Sequence, residues 1–187
     1  MRIISGKFRG LKLQPPLDSN TRPTSDRLKE ALFSILESHK YNLNISTSKV
    51  LDICSGTGAL GIEAISRGAK LVYFIEKDPK ANDVIEKNIS KLKINNQNEI
   101  YIKLLKEDAI KALRKINAIF NIVFIDPPYN TSIIEECLID LKELNLINND
   151  SYIFAESSKK DSFEFHGYEV FDTKSYGKSK LTILRLI

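Results

Sequence analysis

Residues 49–78 read KVLDICSGTGALGIEAISRGAKLVYFIEKD, and the fold follows from how this stretch divides. An apolar run (Val50, Leu51, Ile53) meets a loop with Gly56, Gly58 and Gly61 in G-x-G-x-x-G spacing, then a helical stretch, then a second apolar run ending on Glu76. That is a strand, a glycine turn opening a helix, and a parallel strand ending on an acid. The pattern continues outward. Apolar runs in IYIKLL, NIVFID and YIFAES alternate with helical stretches in PKANDVIEKNISKLK, DAIKALRKI and SIIEECLIDLKEL. Such alternation predicts an α/β chain with a doubly wound, mostly parallel Rossmann-like sheet and helices on both faces. At the end, GYEVFDTK and KLTILRLI flank a short turn, SYGKS, so the last strand is expected to run antiparallel.

Before this unit, Met1 to Leu13 alternates apolar and polar residues around Gly6 and Gly10 and predicts a small β-hairpin. The prolines of QPPLDSNTRP mark a linker, and Thr24 or Ser25 can cap a helix whose apolar residues are Leu28, Ala31, Leu32, Ile35 and Leu36. The expected organisation is a basic hairpin appendage over residues 1–20 and one main domain over 21–187.

The whole chain has 187 residues, 42% of them hydrophobic and 28% charged, within the range of one soluble domain. Cys54 and Cys137 are too few for a disulfide framework, and the opening residues lack a signal peptide's apolar core, which favours a reducing cytoplasm. No apolar run approaches the roughly 20 residues of a spanning helix, so no membrane partner is expected. His39 and His166 lack metal-ligand spacing, and no metal is expected. A monomer is the default. The net charge is +4, but residues 1–50 carry nine Lys/Arg against four Asp/Glu while the remainder carries 19 against 20. Arg2, Lys7, Arg9 and Lys12 all precede the first acid, Asp18, as a phosphate-facing surface would require. On charge alone a solvated hairpin face is the simpler reading.

In a doubly wound sheet, ligands sit beyond the carboxyl ends of the strands. The glycines admit a ligand close to free N–H groups at a helix start, and Glu76, 20 residues past Gly56, can accept from both hydroxyls of a ribose. Together they point to an adenosine-containing ligand. NAD enzymes share this spacing, but two features favour S-adenosylmethionine. Asp52, just before the glycines, would repel a pyrophosphate but could hold an ammonium group. Asp108 can accept from an adenine amine, although a helix N-cap explains it as well. Ser55, Lys77 and Ala109 complete the expected donor-binding set.

The run FNIVFIDPPYNTS, 120–132, then explains itself. A nucleobase amine is a poor nucleophile because its lone pair is delocalised. The Asp126 carboxylate and the Pro127 carbonyl could bind the two amine hydrogens, with Pro127 and Pro128 fixing the backbone and Tyr129 offering a stacking face. A strand terminator followed by a helix cap at Thr131 or Ser132 would suit either proline alone.

This combination resembles the amino-methyltransferases with a D/N/S-P-P-Y/F/W motif. The whole chain is similar to the RsmD-type guanine-N2 methyltransferases of small-subunit ribosomal RNA, through MRIISGKFRGLKL, TRPTSDRLKEALFSIL, VLDICSGTGALGIEAISRGA, FIEKD and FIDPPY. The resemblance implies methyl transfer from S-adenosylmethionine to the N2 amine of one guanine in 16S ribosomal RNA, in the small subunit or its assembly intermediate. It implies Asp126 to Tyr129 as the catalytic loop, Gly56 and Gly58 as the donor loop, Glu76 as the ribose acid and Asp108 as the adenine contact. The N-terminal hairpin would grip RNA, with Arg22 and Arg27 as candidates for phosphate or donor contacts, and Lys178 and Lys180 at the last turn for RNA. At Cys54-Ser55-Gly56-Thr57 the family more often carries Phe-Ala-Gly-Ser, and Cys54 reads as a small buried hydrophobe. An N6-adenine methyltransferase acting on DNA or RNA, and a glutamine methyltransferase, share the DPPY signature; an NAD-dependent oxidoreductase shares the glycines.

Overall fold

The computed structural model describes residues 1–16, 26–94 and 100–187, with Arg27 and Leu28 described by backbone alone. Arg22, the Thr24 or Ser25 cap and the side chains of Arg27 and Leu28 lie outside the described residues.

Seven strands form one sheet: β1 (Lys49–Ile53), β2 (Leu71–Ile75), β3 (Tyr101–Leu105), β4 (Ile122–Ile125), β5 (Tyr152–Ser158), β6 (Tyr168–Tyr176) and β7 (Ser179–Leu186), in the spatial order β3-β2-β1-β4-β5-β7-β6. The first five are parallel, and β7 is antiparallel to both β5 and β6. The predicted α/β sheet and its reversed last strand are therefore present. β4 is buried at every position, as expected of a parallel strand covered on both faces.

Helices α1 (Asp26–Leu36), α2 (Ala59–Ser66) and α3 (Pro79–Ser90) pack on one face, where Phe33, Ile62 and Ile85 join Val50, Phe74, Phe124 and Phe154 in one core. On the other face α4 (Ala109–Leu113) and α5 (Ile133–Glu143) cover Leu51, Ile53, Val123 and Ile125 in a second. The chain leaves β1 outward to β2 and β3, then returns to lay β4 on the opposite flank of β1. The crevice beyond the carboxyl ends of β1 and β4 is thus the topological switch point, where such sheets take their ligands.

The N-terminal segment closes on itself through a single antiparallel bridge, Arg2 with Lys12, and bonds from Ile3 N to Leu11 O (3.0 Å) and Gly10 N to Ile3 O (2.9 Å). Sequence pattern suggested an appendage, yet Ile3 and Leu13 belong to the main core. Its anchor is polar. The fully buried Glu63 of α2 accepts from Ser5 N (2.9 Å) and Arg67 Nε (3.0 Å) on Oε1 and from Ile4 N (2.8 Å) on Oε2, and the buried Lys29 of α1 lies 3.6 Å from Oε2 while donating to the Arg2 carbonyl. Such burial of charge is tolerated only when paired and hydrogen-bonded.

Candidate active site

The glycine loop is stitched to the ends of β1 and β2. Ser55 N donates to Ile75 O (3.0 Å), and its hydroxyl donates to Asp52 O (2.6 Å) while accepting from Ile75 N (3.1 Å). The Ser55 side chain is thereby a brace between two strands. Gly56 N donates to Glu76 Oε2 (2.9 Å), and Glu76 Oε1 accepts from Asp78 N (2.9 Å). Glu76 and the glycine loop are thus held against each other, across the 20-residue spacing between Gly56 and Glu76. Gly56 has φ +56°, and a Cβ there would meet no atom within 4 Å, so its outer side faces open space. Gly61 answers a different constraint: a Cβ on it would lie 2.3 Å from the Phe74 ring.

Asp52 is 2% exposed, and its Oδ2 accepts from Gly61 N at 2.9 Å. Burial pushes its carboxyl up to about 8, against the Gly61 hydrogen bond and with the nearby Glu76 charge adding to the rise. One oxygen therefore braces the first turn of α2. Asp108 caps α4 through Ile110 N (3.1 Å), Ala109 is buried behind it, and Lys77 is exposed.

On the other flank of β1, Asp126 N donates to Ile53 O at 3.3 Å, which ties DPPY to the strand that carries the glycine loop. Asp126 and Tyr129 are half-buried, Pro127 is buried and Pro128 exposed. Ser132 stands at the N-cap position of α5 without a capping bond, its hydroxyl donating to Glu136 instead. Cys54 lies between the two flanks. Burial pushes its thiol up to about 12, with Glu76 and then Asp126 adding to the rise, so both carboxylates act on this one residue. It is half-buried with φ +59°, a left-handed conformation uncommon for a residue with a side chain.

Sequence reasoning missed Ser179. This buried residue opens β7, and its Oγ lies 2.8 Å from the Tyr129 hydroxyl, joining the DPPY loop to the last turn. Its neighbours in SYGKSK were noticed only for charge. Asn88 was missed too: fully buried in α3, it donates to Thr57 O (3.1 Å) in the glycine loop and accepts from Gln14 N (2.6 Å). Thr57 also contacts Met1 Sδ at 3.7 Å, so Met1 touches the glycine loop directly and Gln14 is linked to it through Asn88.

Of the basic candidates, Lys7, Arg9, Lys12 and Lys178 are exposed. Arg2 pairs with Asp26 at 3.5 Å, and Lys180 is half-buried with Nζ donating to Asp161 O (3.1 Å). Among the described residues, no group of three or more His, Cys, Asp or Glu could hold a metal ion, and no helix is long and apolar enough to cross a membrane.

The model of the family described as conserved hypothetical protein 95 matches residues 1–185. The chain is 34% identical over 157 residues to ribosomal RNA small subunit methyltransferase D of Escherichia coli strain K12, covering 84% of this chain and 74% of that protein. It is 35% identical over 159 residues to the protein of the same name from Haemophilus influenzae, covering 85% and 79%. The solved structure of Escherichia coli yhhF superposes with a TM-score of 0.82 at 30% identity, over 100% of this chain and 97% of that one. With a family match across nearly its whole length, and relatives alike in sequence and in fold, the chain belongs to the conserved hypothetical protein 95 family of RsmD-type methyltransferases.

Proposed function

We propose that this protein transfers the methyl group of S-adenosylmethionine to the N2 amine of one guanine in small-subunit ribosomal RNA, working as a cytoplasmic monomer on the subunit or an assembly intermediate. One observation carries the reading: DPPY and the glycine loop leave adjacent strands at the switch point, linked by the bond from Asp126 N to Ile53 O.

The residues of the first flank fit the donor. Open space over Gly56 leaves room for a ligand against the backbone, and Glu76, though engaged through one lone pair on each oxygen, keeps others for ribose hydroxyls. The raised Asp52 carboxyl suits a partner that brings positive charge, such as the ammonium of a methionine moiety. Asp108 would face the adenine. When bound, the donor supplies a methyl group activated by a sulfonium.

The chain's own residues do the remainder. Asp126 and the Pro127 carbonyl accept the two amine hydrogens and turn the nitrogen lone pair toward the methyl. Tyr129 stacks on the base, a contact worth about 1–3 kcal/mol. As the N–C bond forms and the S–C bond breaks, one amine proton leaves along the hydrogen bond held by Asp126. Alignment supplies most of the acceleration, since oriented reactants recover about 7–11 kcal/mol of barrier. The basic N-terminal segment, with Lys178 across the site, would hold RNA phosphates.

The relatives named as small-subunit ribosomal RNA methyltransferases support ribosomal RNA as the substrate. The test supplies labelled donor with free RNA and with small subunits lacking the modification, then identifies the modified nucleoside by mass. N2-methylguanosine is expected; N6-methyladenosine, or no transfer to either RNA, overturns the proposal.

A further inference from the structure

Glu156 occupies a position beside the DPPY loop that no role yet accounts for. The register of β4 with β5 runs from Ile122 opposite Tyr152 to Ile125 opposite Ala155. The residues that follow are Asp126, immediately past the end of β4, and Glu156 within β5. Side chains alternate between faces along a strand, and Phe124 and Phe154, two residues earlier, meet on the α1–α2–α3 side with ring centroids 5.9 Å apart. Glu156 therefore leaves the sheet on the side to which the register also assigns Asp126. Across its other edge, Glu156 pairs with Leu181, which is buried in the same core as Phe154. Ser179, two residues before Leu181, shares that side and meets the Tyr129 hydroxyl. Glu156 thus stands between the strand that leads into DPPY and the strand whose first residue holds its tyrosine. It is half-buried, and among the described residues no hydrogen bond or ion pair engages its carboxylate. A carboxylate partly removed from water without a donor is costly, and a ligand bearing a donor would relieve that cost.

Guanine carries such a donor. Its N1–H lies next to the C2 amine, whereas adenine and 2-aminopurine present a lone pair at N1. An ionised carboxylate only accepts. We propose that Glu156 is a specificity-determining residue that accepts the N1–H of the target guanine while Asp126 holds the neighbouring amine, and that it repels bases with a lone pair at N1. The inference rests on the guanine-N2 reading above and adds to it the group that tells guanine from other purines.

The test uses the full-length protein and the RNA or subunit substrate after the modified nucleotide has been located by mass. 2-Aminopurine, which keeps the C2 amine but lacks N1–H, is placed at that nucleotide by ligation, and single-turnover rates are compared with those for guanine. Wild type is expected to favour guanine by about 10- to 100-fold, as for one charge-assisted hydrogen bond, and Glu156→Gln, whose amide can both accept and donate, to narrow this to about threefold or less. The missing O6 of 2-aminopurine is common to both measurements and cancels. Thermal stability and S-adenosylhomocysteine affinity of the Gln variant should match wild type, and Glu156→Ala, which removes the acceptor, should slow guanine more than 2-aminopurine. An equal fall on both bases, or discrimination unchanged in both variants, overturns the role of Glu156 while leaving N2 methylation intact. A wild-type product other than N2-methylguanosine overturns the reading beneath it.

Discussion

The Tyr129 hydroxyl stands 2.8 Å from Ser179 Oγ, a contact that fastens the DPPY loop to a strand 50 residues away. Asn130, next in the loop, has φ +59°, and Thr131 Oγ1 holds the Pro128 carbonyl at 2.9 Å, so the loop turns sharply just after the tyrosine. Removing the hydroxyl at either end should free the ring that is proposed to stack on the base. Tyr129→Phe and Ser179→Ala are each expected to lower kcat/KM about fivefold, as for one neutral hydrogen bond. The double variant should lose little more than either single one. Fully additive losses would show that the two hydroxyls act independently.

Asp126 is expected to matter far more for turnover than for donor binding, because its backbone N–H is bonded to Ile53 O and its carboxylate is assigned to the incoming amine. Losing one fixed polar group at a reacting centre costs about 10²–10³ in kcat. Asp126→Ala should show at least that loss, with S-adenosylhomocysteine affinity within about twofold of wild type. Unchanged turnover would remove Asp126 from the chemistry.

The sheet was legible because buried parallel strands read as unbroken apolar runs, and the glycine loop because its spacing is local. The position of Glu76 was legible for the same reason: it directly follows the strand that pairs with β1. What escaped reading depends on distant partners. Lys29 looks like any exposed helical lysine until Glu63 is brought beneath it. Ile3 and Leu13 suit a surface hairpin by alternation, and only the packed core shows that they are interior residues. Ser179 carries no signal in its own neighbourhood. Asp52 was visible as a carboxylate before the glycines, but its bond to Gly61 N needed the turn to be built.

The raised Asp52 carboxyl gives donor binding a pH dependence. Because burial pushes it up to about 8, the group holds its proton through much of the neutral range when no ligand is bound. An ammonium brought beside it would favour the ionised form. Binding of S-adenosylhomocysteine should then release a proton and tighten by up to about tenfold per pH unit below 8, levelling above it. In Asp52→Asn, which keeps an acceptor for Gly61 N, both the slope and the proton release should disappear. Calorimetry in buffers of different ionisation enthalpy reads the released proton directly.

The basic segment should show itself through salt. Arg2, Lys7, Arg9 and Lys12 are all exposed, and Arg2 pairs with Asp26. If these residues hold phosphates, each lost contact lowers the slope of log affinity against log salt by about 0.7–0.9. Replacing Lys7, Arg9 and Lys12 together should flatten the slope by about two, and adding Arg2→Ala should change it less than Arg9→Ala or Lys12→Ala does. An unaltered slope would place the RNA surface elsewhere.

The anchor of that segment predicts a stability defect with its own pH signature. Glu63 holds Ile4 N, Ser5 N, Arg67 and Lys29 while fully buried. Removing one partner of a buried ion pair strands the other charge and typically costs about 3–5 kcal/mol. Glu63→Gln should approach that loss at pH 7, as measured by urea denaturation. Burial lowers the Lys29 ammonium below its usual range, and Glu63 is the largest influence opposing that fall. Without Glu63 the lysine drops further in the folded state than in the unfolded one, so the unfolded chain binds more protons across the interval between the two values. Stability of the variant should therefore rise with pH through that interval, recovering part of its loss at pH 9 relative to wild type. In Glu63→Gln combined with Lys29→Met the recovery should vanish, because no buried ammonium remains to shed its proton.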